Sequence, residues 1–127
     1  MLASGLVTIM RFDRVRDYLL SLPGAAEDFP FGPELMVFRV GGKIFAILAY
    51  EDVPARVNLK CDPARAVELR ESFSAVIPGY HMNKKHWNTV VLDGELSDRQ
   101  VKELADHSYA LVEASLPKSQ RLRKASS

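Results

Sequence analysis

The side chains best suited to chemistry in this sequence are concentrated in one acid-free segment, residues 78–89. The segment reads PGYHMNKKHWNT and holds two lysines, two histidines, two asparagines and two aromatic residues. Lysines attract phosphates, aromatic and histidine rings stack on bases, and asparagine amides pair with base edges. Together these residue types favour a nucleic-acid contact, for which the candidates are Tyr80, His81, Asn83, Lys84, Lys85, His86 and Asn88.

Each of these residues also has an ordinary structural interpretation. Trp87 begins an apolar run and is more typical of a protein core than of a stacking surface. Asn83 is suited to closing a turn, and Lys84 and Lys85 on their own are typical of a solvated surface. The residues alone therefore leave the nucleic-acid and the structural interpretations open.

The standard signatures of catalysis are missing from the sequence. It contains no glycine-rich phosphate-binding loop and no G-x-S-x-G nucleophile elbow. Cys61 lies at a predicted strand-to-helix junction, where a helix N-terminus can lower the pKa of a thiol. No base is indicated beside it, so a buried structural cysteine is favoured. We therefore predict no catalytic residue and no cofactor.

The histidines do not form a metal-binding motif. His81 and His86 are five residues apart, which fits neither a helical H-x-x-x-H pair nor a zinc-finger spacing. The acids of a proline-rich loop are more typical of a solvated surface than of paired catalytic carboxylates; they are Glu27, Asp28 and Glu34. We predict no metal site.

The overall charge conceals a segregated distribution. The 127 residues carry 17 Lys+Arg against 16 Asp+Glu, for a formal net charge of +1, which excludes a uniformly basic coat. Counting lysines and arginines against acids gives +2 for residues 79–92, −4 for 93–113 and +4 for 114–127. A nucleic-acid contact would therefore be local and strongly dependent on salt.

Several protein classes are excluded by simple counts. A single cysteine rules out a disulfide framework within the chain and a cysteine-rich zinc site. The longest apolar runs, such as residues 44–50, are far shorter than the roughly 20 residues that a membrane span needs. Residues 1–10 lack the positively charged start and the cleavage site of a signal peptide. We expect a cytoplasmic protein with no membrane partner.

Three helices are predicted around these side chains. Apolar residues at helical spacing indicate a first helix over about 11–22, which Pro23 and Gly24 end. Asp62-Pro63 supplies an N-cap and a first-turn proline for a second helix that runs to about Ser72. Ser97 and Gln100 form a capping box for a third helix, which Pro117 stops.

The strands are predicted from alternating and β-branched runs. Residues 35–40 and 43–49 flank Gly41-Gly42, a strong hairpin signal. Residues 56–60 alternate in polarity and form a third strand, and 75–77 and 86–92 supply one or two more. The result is a two-layer α+β domain with a mainly antiparallel sheet and helices on one face.

The long motif resembles the signature of the MmcQ/YjbR family of small bacterial proteins. Residues 78–90 carry most of the resemblance. Supporting matches extend over about 11–118, in segments 18–24, 28–33, 41–46, 58–63, 107–109 and 116–118. We accordingly divide the chain into a flexible extension at 1–10, a single domain at 11–118 and a basic flexible tail at 119–127.

The resemblance implies a compact domain of order α-β(3)-α-β(2)-α and, by the family's usual label, DNA binding through hairpin wings. In this sequence the wings would be the hairpin containing Lys43 and the segment 80–88. Two alternatives remain. One is a protein-interaction or chaperone-like adaptor that presents the loop 29–33, and the other is a small-molecule site around Tyr80–His86. The sequence leaves the oligomeric state and any protein partner undefined.

Overall fold

A computed structural model describes residues 2–79 and 82–120, including the side chains of 12–79 and 82–119. Within these residues the chain forms three helices and six strands. Their order is α1 (Leu2–Ser21), β1 (Ala26–Asp28), β2 (Leu35–Val40), β3 (Lys43–Ala49), β4 (Arg56–Lys60), α2 (Pro63–Ser72), β5 (Val76–Pro78), β6 (Trp87–Val91) and α3 (Asp98–Ala114), followed by a 3₁₀ turn at Lys118–Gln120.

The strands form one antiparallel sheet with the order β1-β2-β3-β4-β6-β5. The predicted hairpin of β2 and β3 is confirmed, and both turn glycines have positive φ, 58° at Gly41 and 81° at Gly42. β6 lies between β4 and β5 and pairs with both, so the β5–β6 hairpin extends the sheet beyond β4. The predicted α+β fold is therefore confirmed.

The helices cover one face of the sheet and enclose the core. Alternate residues of the central strands point to this face, because side chains of a strand alternate between the two faces. Phe38 and Leu48 are fully buried there against Leu19 of α1 and the apolar stripe of α3. Phe45 reaches the same face because the register shift opposite Phe38 and Arg39 interrupts the alternation in β3. The opposite face carries no helix within the described residues.

α3 is joined to the sheet by a buried hydroxyl as well as by apolar packing. Ser108 is fully buried, and its hydroxyl donates to the carbonyl of Phe45 in β3 at 2.6 Å. The same oxygen accepts from the backbone N–H of Lys60 in β4 at 2.9 Å. One side chain thus satisfies backbone groups on two neighbouring strands.

Two elements differ from the sequence-based expectation. α1 begins at Leu2, so residues expected as an extension continue the helix; whether they are flexible stays a prediction. A short strand, β1, pairs with β2 at the sheet edge, where the sequence indicated only a loop. The predicted tail overlaps the 3₁₀ turn, and its residues 121–127 lie outside the described residues.

The predicted helix caps are present. The Asp62 carboxylate accepts from the N–H of Arg65 at the start of α2, and Ser97 and Gln100 form a reciprocal capping box on α3. No helix among the described residues is long and apolar enough to cross a membrane.

Candidate functional site

Strand register places the two predicted wings at the same end of the sheet. Ala46 pairs with Leu59, and Lys60 pairs with Trp87, so the start of β3, the end of β4 and the start of β6 lie side by side. The β2–β3 turn and the β5–β6 connection therefore project from one end. They are separated by one strand, β4, which corresponds to about 10 Å between β3 and β6.

This end of the sheet collects lysines, and we call it the cationic end. The acids near this end include Asp62, which caps α2, and Glu113, in the last turn of α3. Asp28 is a third, because its carboxylate is 3.4 Å from the Nε of Arg39, whose guanidinium also donates to the carbonyl of Gly42 in the β2–β3 turn. Five lysines lie at this end, at the start of β3, at the end of β4, in the β5–β6 connection and after α3: Lys43, Lys60, Lys84, Lys85 and Lys118.

The connection at residues 83–86 is a hydrogen-bonded turn that holds two exposed lysines. The carbonyl of Asn83 accepts from the N–H groups of His86 and Trp87 at 3.2 and 3.0 Å. The side-chain oxygen of Asn83 accepts from the N–H of Lys85 at 2.9 Å. Asn83 closes the turn, as one of its interpretations predicted, and this turn leaves Lys84 and Lys85 exposed.

An arginine of α2 fixes the same turn from the helical face. The Arg70 guanidinium donates to the side-chain oxygen of Asn88 at 2.7 Å and to the carbonyl of Lys84 at 3.4 Å. The amide of Asn88 also donates to the carbonyl of Ala66 in α2 at 3.3 Å. No pattern in the sequence indicated Arg70, because its partners lie 14 and 18 positions away.

Asn88 is the predicted contact residue whose placement differs most from expectation. Only 3% of it is exposed, and its amide is occupied by Arg70 and Ala66. A buried amide with both ends bonded is not available to a base edge. In this arrangement Asn88 positions the turn, and its amide does not face a partner.

Of the remaining predicted contact residues, two are described by the structure and two are not. Lys43 is exposed at the start of β3, and His86 is half-buried, with its carbonyl accepting from the N–H of Cys61 at 2.8 Å. Tyr80 and His81 lie outside the described residues. The structure thus brings Lys43 to the same end as Asn83, Lys84, Lys85 and His86.

The β2–β3 turn is packed tightly against the residues that follow α3. A Cβ at Gly41 would lie 2.4 Å from the Cδ1 of the buried Leu116, so a side chain there would force Leu116 to shift and would also be strained by the positive φ. This contact holds the end of α3, and with it Lys118, near the turn.

Burial favours the neutral forms of the thiol and the imidazole at this end. Burial raises the pKa of the Cys61 thiol, which keeps it protonated at neutral pH. Burial lowers the pKa of His107, whose Nε2 accepts from the N–H of Asp62 at 3.1 Å. No group of three His, Cys, Asp or Glu side chains in the described part of the chain is arranged to hold a metal.

The face of the sheet opposite the helices forms an open groove, which we call the open-face groove. Its floor includes Ile47, Asn58 and Thr89, which are neighbours across β3, β4 and β6. Its volume is about 940 Å³. Two loops and the β5–β6 connection contribute its rim, with Phe31, Glu34, Glu51, Asp52, Val53 and Met82.

The far end of the sheet has the opposite charge, and we call it the acidic end. One row of paired residues crosses four strands there: Leu35, Ala49, Arg56 and Val91. Five acidic residues lie in the loops that enter or leave the strands at this end: Glu34, Glu51, Asp52, Asp93 and Glu95. Arg56 is the basic residue within the row, so residues next to this end of the strands are mostly acidic, whereas lysines lie next to the other end.

Comparison with known proteins agrees with this architecture. A model of the family described as YjbR matches residues 20–111. The chain belongs to the YjbR family. It is 38% identical over 104 residues to the uncharacterized protein YbdF of Escherichia coli O157:H7, covering 82% of this chain and 85% of that protein. It is 34% identical over 112 residues to the uncharacterized protein YjbR of Escherichia coli K12, covering 88% and 95%.

Solved structures of similar proteins share the fold. The crystal structure of Deinococcus radiodurans protein DR2400, with the domain DUF419, superposes with a TM-score of 0.81 at 39% identity, covering 89% of this chain and 85% of that one. A crystal structure of a Pseudomonas syringae protein superposes with a TM-score of 0.67 at 30% identity, covering 76% and 93%. Membership of the YjbR family confirms the resemblance seen in the motif at 78–90.

Proposed function

We propose that this YjbR-family protein is a DNA-binding module that contacts the phosphate backbone with the cationic end of its sheet. The observation that supports the proposal is the gathering of five lysines at one end of the sheet, in and beside two adjacent turns. Nonspecific affinity for DNA comes mainly from lysine and arginine contacts with phosphates. A localised patch is sufficient for this even when the net charge is near zero.

The geometry of the two turns suits a duplex better than a single phosphate. Their strands are about 10 Å apart, a spacing of the same order as the roughly 12 Å width of the major groove. The Arg70 and Asn83 hydrogen bonds hold the backbone of the β5–β6 turn, so its lysines project from a fixed base. The phosphate contacts proposed are those of Lys43, Lys84 and Lys85.

The test is a fluorescence anisotropy titration with a labelled duplex over a range of salt concentrations. We expect dissociation constants of roughly 10⁻⁴ to 10⁻⁶ M near physiological salt, because the contacts are mostly electrostatic. Removing two phosphate contacts with Lys84→Ala/Lys85→Ala should reduce the slope of log K against log salt by about 1.8.

A matched control removes two cations elsewhere. Arg99 and Lys102 lie on the exposed surface of α3, so Arg99→Ala/Lys102→Ala lowers the net charge equally without touching the cationic end. We expect its salt slope to equal that of the wild type. No binding by the wild type at low salt, or an equal loss in both double variants, would contradict the proposal.

A further inference from the structure

The open-face groove differs chemically from the cationic end and plays no part in the contact with DNA. We propose that it is a binding site for a small amphiphilic organic cation, meaning a molecule with an apolar body and a primary ammonium or guanidinium group. The proposal is independent of DNA binding and rests on the shape, the polarity and the charge of the groove.

The shape and polarity of the groove suit a small molecule. Its volume of about 940 Å³ lies within the range typical of ligand pockets, which is about 300–1,000 Å³. Apolar side chains on its rim are unusually open, with Phe31 55% exposed and Val53 85% exposed. An apolar body placed between them and Ile47 would remove this surface from water, which is favourable.

The charge of the groove favours a cation over an anion. Three carboxylates line it, those of Glu34, Glu51 and Asp52, together with one guanidinium, that of Arg56. Within the described residues these carboxylates form no salt bridge and no side-chain hydrogen bond. Free carboxylates around an apolar concavity attract a ligand cation and repel phosphates.

An amide in the floor of the groove offers a ligand one hydrogen-bond donor. Asn58 is only 8% exposed, and its Oδ1 accepts from the hydroxyl of Thr89. Its Nδ2 makes no hydrogen bond to the described part of the chain and is not among the buried atoms left without a partner, so it remains accessible to solvent. A hydroxyl or carbonyl oxygen on the ligand would satisfy this donor, so a body with such an oxygen fits better than a bare hydrocarbon.

The test compares three probes of the same chain length, n-octylammonium, n-octanol and n-octanoate, by ¹H–¹⁵N NMR titration below their micellar concentrations. We expect shift changes at groove residues of β3, β4 and β6, with octylammonium binding tightest and octanoate weakest. Changes confined to other surfaces, or an affinity for octanoate equal to that for octylammonium, would overturn the proposal.

Variants that replace the carboxylates with uncharged amides separate the contribution of the carboxylates to binding from that of the apolar walls. Glu34→Gln/Glu51→Gln/Asp52→Asn should weaken octylammonium binding about fivefold, the scale of a few exposed ion pairs, and leave octanol binding unchanged. A matched control neutralises three helix acids outside the groove: Glu68→Gln/Glu71→Gln/Glu103→Gln. A similar loss in both triple variants would contradict a local site.

A steric variant tests the location without removing charge. Ala49 lines the groove at the acidic end, and Ala49→Phe would fill part of its volume. We expect weaker binding of octylammonium and octanol together, with an unchanged circular dichroism spectrum. Undiminished binding of both probes by the folded variant would place the ligand elsewhere and overturn the proposal. If Ala49→Phe fails to fold, the triple carboxylate variant still decides the question.

Discussion

Ser108 joins α3 to two strands of the sheet, and its removal should cost more than that of any surface serine. Its hydroxyl makes two hydrogen bonds in a fully buried position, one to the Phe45 carbonyl and one from the Lys60 N–H. Each such bond contributes about 1 kcal/mol, and a buried backbone group left without a partner adds a desolvation cost. Ser108→Ala should therefore lower the free energy of unfolding by about 2 kcal/mol or slightly more.

The assay is chemical denaturation followed by circular dichroism, supported by thermal unfolding. A loss of 2 kcal/mol corresponds to a fall in Tm of about 6–8 °C for a domain of this size. Ser115→Ala is the matched control, because among the described residues the Ser115 hydroxyl bonds to the carbonyl of Val112, within the last turn of the same helix. A change for Ser108→Ala below about 0.5 kcal/mol, the range of surface substitutions, would refute the reasoning.

Three further predictions concern single groups. Gly41→Ala should destabilise the fold by at least about 1 kcal/mol more than Gly42→Ala, because both have positive φ but only Gly41 faces Leu116; equal denaturation midpoints would contradict this. Burial and the hydrogen bond to Asp106 raise the pKa of Tyr18 to about 12, so Tyr18→Phe should remove one tyrosine ionisation at high pH from an ultraviolet titration. Burial lowers the pKa of His107 below its ordinary 6.5, so the unfolded chain binds this proton more readily and stability should fall as the pH drops below about 7. His107→Gln should flatten that pH dependence in denaturation curves, and an unchanged slope would contradict it.

Local signals predicted the central elements well. Gly41-Gly42 between two apolar runs predicted the hairpin, and Asp62-Pro63 predicted the start of α2, because a turn or a cap depends on neighbouring residues. The edge strand β1 was missed because two of its three residues are acids and it is paired on one side only. The helical residues before 11 include Gly5 and three β-branched residues, which weaken the helical pattern.

The candidate site was predictable in its residues but not in its arrangement. The lysines of 84–85 stood out by composition, whereas their support by Arg70 depends on how α2 packs beside β6. The same packing buries Asn88, which its residue type alone would have placed among contacts with bases. The open-face groove could not be predicted either, because its floor joins residues from three strands that only the register brings together.

The charged residues next to the ends of the strands are unevenly divided between the two ends of the sheet, although the net charge of the chain is only +1. Lysines cluster at one end of the sheet and carboxylates at the other, separated by strands of five to seven residues. A polyanion would therefore orient the protein before contact, turning its cationic end inward. Two copies would also attract each other head to tail at low ionic strength, so weak association that added salt abolishes is the expected signature of this asymmetry in solution.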